Sequence, residues 1–258
     1  MTGRVTLIGG GPGDADLLTV RAVRALEQAD VVLYDRLGPR AELERMAPHA
    51  LLIDVGKLPG HHAVPQEGIE ALLVEHALAG AHVVRLKGGD PYVFGRGGEE
   101  VLACHRAGVP VEVVPGVTSA ISVPAAAGIP VTHRGVSHLF TVVSGHAPLT
   151  ADEHEHLAGL GGTIVVLMGV NTLPSLAAGL MRSGLSATTP VAVIERGYRA
   201  DQRTTHAELG DVVVAAGLAG VSSPAVIVIG DVVRLAHDGA ADAVALIERA
   251  SAFAGEAT

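Results

Sequence analysis

Two polar residues close short apolar runs early in the chain. Asp35 follows the run at 31–34, and Lys57 follows the run at 51–55 across Gly56. A carboxylate and an ammonium held at strand ends could serve a ligand in a cleft. The same residues could instead be solvated, cap a loop or join surface ion pairs, for Asp35 with its neighbour Arg36. Glycine-rich stretches accompany them. Gly9-Gly10-Gly11-Pro12-Gly13-Asp14 follows an apolar run, and glycines there permit positive φ and close backbone approach to a ligand. Asp14 stands where a dinucleotide fingerprint needs glycine, and no Gly-Lys-Ser/Thr follows to make a phosphate loop. The run Arg85-Leu86-Lys87-Gly88-Gly89-Asp90-Pro91-Tyr92-Val93-Phe94-Gly95-Arg96-Gly97-Gly98-Glu99-Glu100 is more specific. Its glycines leave bare backbone that could read the polar rim of an adenosyl or amino-acid group, with Asp90 accepting hydrogen bonds. Tyr92 and Phe94, two of the chain's few aromatics, argue against a solvated linker.

These residues need a scaffold that gathers strand ends. Apolar runs at 5–8, 31–34, 51–55, 83–86 and 111–114 read as buried strands. Leu18, Ala22, Ala25, Leu26 and Ala29 recur at helical spacing, as do Ile69, Leu72, Leu73, His76 and Ala77. A further helix is expected over about 97–107. Pro115-Gly116 breaks the pattern, which places a domain boundary between 1–114 and 115–258. Beyond it the pattern predicts a helix near 118–127 and strands near 140–144, 164–168, 191–195 and 225–229. It also predicts a helix over 172–183 and a closing helix over 240–253. The fold class is α/β, as two consecutive α/β domains with a cleft between them. In open α/β sheets ligands bind beyond the carboxyl ends of the strands. The unusual residues fall at those ends: 9–14, Asp35, Lys57, 88–91, Gly145-His146 and Met168-Gly169.

Composition narrows the function. Of 258 residues 48% are hydrophobic and 17% charged, with no Trp, so a core of Val, Leu, Ile and Ala must form. That suits parallel strands covered on both faces. A net charge of -9 argues against a grip on nucleic-acid backbone. Cys104 is the single cysteine, which excludes an intramolecular disulfide, and it reads as a small helix residue. His61-His62, His133 and His138 lack the spacing of a metal set, so no metal is expected, and His154 and His156 read as solvated. No apolar run reaches the ~18 residues of a membrane helix, 212–221 coming nearest. The opening residues show no charged-then-apolar leader. The expectation is a soluble cytoplasmic protein with no nucleic-acid or membrane partner.

Taken together, the motifs resemble one family. GGGPGD, Asp35-Arg36-Leu37, Gly56-Lys57 with His61, the 85–100 run, Pro115-Gly116-Val117-Thr118-Ser119-Ala120, Gly128-Ile129-Pro130-Val131-Thr132-His133-Arg134 and Leu167-Met168-Gly169 are similar in order and spacing to the uroporphyrinogen-III C-methyltransferases. These belong to the tetrapyrrole methylase superfamily, and the resemblance runs from about residue 5 to 233. It implies an S-adenosylmethionine-dependent enzyme that methylates uroporphyrinogen III at C-2 and C-7, in sirohaem or cobalamin biosynthesis, and releases S-adenosylhomocysteine. It implies donor binding by Pro12, Gly88, Gly89, Asp90, Val93, Thr118, Ser119, Met168 and Gly197. It implies Asp35 as proton acceptor, Lys57 as proton donor, and a homodimer, for which the Ala/Val-rich second domain is expected to provide the contacts. Gly10 replaces a usual Ala, and Tyr198 replaces the Thr that usually follows Gly197, although Gln202-Arg203 keep their distance. A substrate with eight carboxylates needs local cations, for which Lys57, His61, Arg85, Lys87, Arg96, His133 and Arg134 are candidates. A methyltransferase of a later corrin intermediate is the nearest alternative. A nucleotide-dependent oxidoreductase and a non-catalytic adenosyl sensor stand for other classes.

Overall fold

The computed structural model describes residues 2–35, 40–56 and 64–236. Lys57, His61 and the expected closing helix lie outside the described residues. The chain divides into two compact units, Met1–Thr118 and Ser119–Thr258. The division thus falls after Thr118, beyond the expected 114/115. Gly116 packs its backbone against Gly9 and Gly89, which ties this stretch to the first unit.

The first unit is a five-stranded sheet of β1 (Arg4–Gly9), β2 (Val31–Tyr34), β3 (Leu51–Asp54), β4 (His82–Lys87) and β5 (Val111–Val114). Their order is β3-β2-β4-β1-β5 and every pairing is parallel, so all five carboxyl ends lie on one edge. The helices are α1 (Val20–Glu27), α2 (Arg40–Met46), α3 (Gln66–Leu78) and α4 (Gly97–Arg106). Thr19 caps α1 by accepting the Ala22 amide. Successive side chains of a strand point to opposite faces. In β4, Val83 therefore packs with Ile69, Leu73 and Cys104 of α3 and α4. Val84 and Leu86 pack with Leu26 and Leu43 on the α1 and α2 side. The same alternation sends Arg85 and Lys87 toward α4. Central β4 is buried along its whole length. Charged residues there must find partners inside the protein.

The second unit departs from the parallel sheet that composition suggested. Its strands are β6 (Phe140–Ser144), β7 (Thr163–Leu167), β8 (Pro190–Glu195), β9 (Arg203–Glu208) and β10 (Ala225–Ile229), in the order β6-β7-β10-β8-β9. Only β6 and β7 run parallel; the other three pairings are antiparallel. Two reversals in series leave β8 pointing the same way as β7. The loops after β6, β7 and β8 consequently share one edge. Among the described residues four α-helices accompany the sheet: α5 (Ser119–Ala126), α6 (Ala151–Leu160), α7 (Leu173–Arg182) and α8 (Val212–Ala219). Edge strand β9 has no apolar run, because much of it stays in contact with solvent, and the hydrophobic pattern gave no sign of it. The apolar stretch nearest to a membrane helix is α8, eight residues closed by left-handed Gly220. Among the described residues no helix is long and apolar enough to cross a membrane.

His154 corrects an expectation. It is buried rather than solvated, and its Nδ1 donates to the Thr150 carbonyl at 2.7 Å. Its ring lies against Gly179 of α7, where any Cβ would collide with it. Neighbouring His156 is exposed. Helical periodicity turned one of the two inward, and only the presence of α7 made that burial possible.

Candidate active site

In the first unit the strand-end loops are bound to one another by backbone. Gly11 and Gly89 exchange hydrogen bonds, N to O at 3.2 Å and 2.7 Å, and the Gly10 amide donates to Lys87 O at 2.7 Å. Gly9, Gly89 and Gly116 touch so closely that a Cβ on Gly9 or Gly116 would meet neighbouring backbone. Gly11 and Gly89 also have φ of 68° and 65°, which glycine adopts without strain. Asp90 fastens this arrangement. Its Oδ1 accepts the Tyr92 amide at 2.8 Å and its Oδ2 the Gly116 amide at 3.0 Å. The Val93 amide donates to Asp90 O at 3.2 Å. Pro12, Gly88, Gly89, Asp90 and Val93 thus sit in two loops joined across the Gly11–Gly89 bridge. Thr118 ends this unit. Tyr92 and Phe94 are exposed, 60% and 43%, so this loop meets solvent, against the expectation drawn from their scarcity.

An open pocket borders these loops. Leu18, Leu43, Met46 and Leu86 form its apolar wall, and Gly10, Gly11 and Gly88 bring backbone to it. Asp14, Asp35 and Glu42 supply carboxylates. The structure therefore places Asp35 and Gly88 on one cavity.

Behind Asp35 lies a buried ionic cluster. Arg85 Nη2 donates to Asp35 Oδ2 at 3.3 Å and Arg85 Nε to Glu100 Oε1 at 3.2 Å. Lys87 Nζ donates to the same Glu100 oxygen at 2.8 Å. Burial pushes the Lys87 ammonium below the ordinary lysine range and nearby Arg85 adds to this, while Glu100 opposes both. Two cations expected to hold substrate carboxylates, Arg85 and Lys87, are therefore buried and committed to Glu100. Arg96 is also paired: it grips Glu99 with two hydrogen bonds at 2.9 Å and 2.6 Å. His133 Nδ1 donates to Arg134 O at 2.8 Å, and the Arg134 residue is exposed.

In the second unit the remaining candidates follow the strand ends. Ser119 opens α5, Met168 follows β7 and Gly197 follows β8. Met168, Arg196 and Tyr198 have φ of 59°, 51° and 64°. Such strain in non-glycine residues persists only where surroundings impose it, and it concentrates at functional sites. The Gly197 turn is imposed from two sides. Glu195, fully buried, accepts the Ser222 amide at 3.0 Å, Arg196 Nη1 at 3.2 Å and Arg203 Nε at 2.7 Å. Gln202 Oε1 accepts the Tyr198 amide at 2.8 Å, and Gln202 Nε2 donates to Ala126 O at 3.2 Å. Gly197 itself is required by packing, since a Cβ there would meet Val123 of α5.

A sequence profile of the Tetrapyrrole (Corrin/Porphyrin) Methylases matches residues 4–213. The chain belongs to this family. A tetrapyrrole methylase of Methanosarcina barkeri, an S-adenosyl-L-methionine-dependent uroporphyrinogen III methyltransferase, is 51% identical over 240 residues, 92% of this chain and 94% of that protein. The uroporphyrinogen-III C-methyltransferase of Priestia megaterium is 45% identical, over 90% of this chain and 99% of that one. Among solved structures, the uroporphyrin-III C-methyltransferase of Thermus thermophilus complexed with S-adenosylhomocysteine superposes with a TM-score of 0.76 at 47% identity. It matches over 90% of this chain and 100% of that one. The motifs alone assign no role to three residues that hold these loops and charges: Glu100 ends a motif, Glu195 ends a strand and Gln202 keeps a spacing. Glu100 lies one turn along from Arg96, and its periodicity with Cys104 was the only signal that it points into the core. Among the described residues no group of His, Cys, Asp or Glu is arranged to hold a metal ion.

Proposed function

We propose that the chain is an S-adenosylmethionine-dependent C-methyltransferase that converts uroporphyrinogen III to precorrin-2, adding methyl groups at C-2 and C-7. Identity of 51% across 92% of the chain to a protein of that activity carries the reading. Pro12, Gly88, Gly89, Asp90, Val93 and Thr118 of the first unit, with Ser119, Met168 and Gly197 of the second, are the proposed donor-binding residues. The bonded loops at Gly11–Gly89 and the imposed turn at Gly197 support this, because both present backbone in fixed geometry without entropy left to lose on binding.

Transfer of a methyl group from a sulfonium to carbon needs alignment at near-attack distance more than it needs acid or base. A pyrrole carbon of the substrate is already electron-rich. The apolar wall of Leu18, Leu43, Met46 and Leu86 suits a tetrapyrrole face, and exclusion of water there favours the displacement. After the carbon–carbon bond forms, a proton leaves the ring system. Asp35 is proposed to accept it. Its carboxylate is 30% exposed with Oδ2 held by Arg85, which fixes one oxygen while the group stays open to the cavity. Lys57 is proposed as the proton donor, and a homodimer as the working assembly, for which exposed Val214 and Leu218 of α8 provide apolar surface. A cytoplasmic location belongs to the same proposal, in keeping with a lone buried Cys104.

The test is incubation of the purified chain with uroporphyrinogen III and methyl-labelled S-adenosylmethionine. A labelled product heavier by two methyl groups, together with calorimetric binding of S-adenosylhomocysteine, is expected. An unlabelled substrate, or binding of NAD without S-adenosylhomocysteine, would overturn the proposal.

A further inference from the structure

Glu100 is fully buried, yet it binds the two cations beside Asp35. Its Oε1 receives Arg85 Nε, Lys87 Nζ and, at 3.4 Å, Gln66 Nε2, while Oε2 has no hydrogen-bond partner among the described residues. Arg85 continues the chain of contacts to Asp35. Two cations and two anions thus form a neutral set, of which Asp35 alone has appreciable exposure, 30% against 5% or less for the others. A buried ion cluster is weak support for a fold, since apolar residues of similar volume often serve as well. A carboxylate oxygen kept dry without a donor is costly as well. Two members of the cluster, Asp35 and Lys87, border the cavity, and Asp35 is the more exposed.

We propose that Glu100 is a positioning residue for methyl transfer: through Arg85 and Lys87 it sets the charge felt by Asp35 and keeps that carboxylate a usable base. The proposal rests on the reading of Asp35 as proton acceptor. Without Glu100, Asp35 would be the sole anion of the set facing two buried cations. The pull of both cations would then fall on its negative charge undivided. Asp14 and Glu42 line the same cavity, and Glu67 and Glu70 lie on α3. None of these has a hydrogen bond to Arg85 or Lys87.

The experiment measures the pH profile of kcat and S-adenosylhomocysteine binding for the full chain and four variants. Glu100→Gln keeps the shape and removes one negative charge. Its kcat should fall several-fold and the acid limb of its profile should move down by about one pH unit, the scale set by one close charge. Donor-product affinity should not change. Lys87→Met removes one positive charge and should move the limb the opposite way. The double variant Lys87→Met/Glu100→Gln restores neutrality and should return the limb to the wild-type position. A purely structural role would give no such change of sign or rescue. If Glu100→Gln does not fold, the upward movement in Lys87→Met still decides, and an unmoved limb there overturns the proposal. So does a double variant whose limb stays displaced downward like that of Glu100→Gln. Asp35→Asn separates the two readings. Wild-type turnover in that variant would overturn the proton-acceptor reading and this proposal with it. An inactive Asp35→Asn beside an unmoved Glu100→Gln profile would overturn the role of Glu100 alone.

Discussion

Among the described residues each unit contains one fully buried glutamate bound to two basic side chains, and the two are held in opposite ways. Glu195 has both oxygens occupied, by the Ser222 amide and Arg196 on one side and by Arg203 on the other. Its bonds reach backbone as well as side chains, and they close around the strained turn at Gly197. Glu100 crowds three donors onto one oxygen and leaves the other bare. Its donors are all side chains, and they lead to Asp35. A satisfied buried carboxylate builds a loop; a half-satisfied one is retained for its charge. The first unit accordingly links its buried glutamate to a carboxylate on the cavity, and the second uses its own to shape a loop.

The largest expected effect lies in the first unit. Asp35→Asn should lower kcat by about 10²–10⁴-fold, the usual contribution of a positioned base, while S-adenosylhomocysteine still binds. Steady-state kinetics beside calorimetry would check both, and near-normal turnover would dissolve the contrast. Glu195→Ala should act instead on stability. Its removal leaves the Ser222 amide without this acceptor beside two partly exposed arginines, a loss of up to about 3 kcal/mol, so the denaturant midpoint should fall. A Glu195→Ala variant of normal stability would mean that the Gly197 turn does not depend on the carboxylate.

A smaller effect is expected at Asp90, whose two bonds to the Tyr92 and Gly116 amides hold the glycine loops. Asp90→Ala should weaken S-adenosylhomocysteine binding by about 1–3 kcal/mol in a folded protein. Unchanged affinity would remove this loop from the donor site.

The smallest effect concerns acid, and it distinguishes the units by pH window. Burial pushes His82, at the start of β4, below the ordinary histidine range, although the Gln28 carbonyl works against it. The unfolded chain therefore takes a proton there first, and the contribution to stability is lost as pH falls below about 6.5. Glu195 behaves differently. Burial raises its carboxyl, but the Ser222 amide and the Arg203 and Arg196 charges outweigh this and leave it below the ordinary range. Its contribution is present above the unfolded value of about 4.3 and is lost only as pH falls through the depressed one. Hydrogen exchange should thus show β4 loosening at mildly acidic pH while the loop after β8 stays protected. The reverse order would contradict the assignment of these two groups.

Much of the protein was legible in one dimension because the signals are local. Strand ends marked by Gly9, Asp35 and Gly88 follow from apolar runs and breakers within a few residues. Parallel order in the first unit then puts those ends on one edge, so the candidate residues meet without further information. The Gly-rich loops and the family were readable for the same reason: their residues are consecutive. What the sequence left undecided depends on partners distant in the chain. Nothing local says that Arg85 and Lys87 face Glu100 and not a ligand, that His154 turns inward onto Gly179, or that Gln202 reaches Ala126. Edge strand β9 and the antiparallel order beside it were hidden because a strand exposed along one edge needs no apolar run. Residue type sets what a side chain can bond to. Which bond it makes is chosen by the neighbours that packing brings within about 3 Å, and only the tertiary structure supplies those.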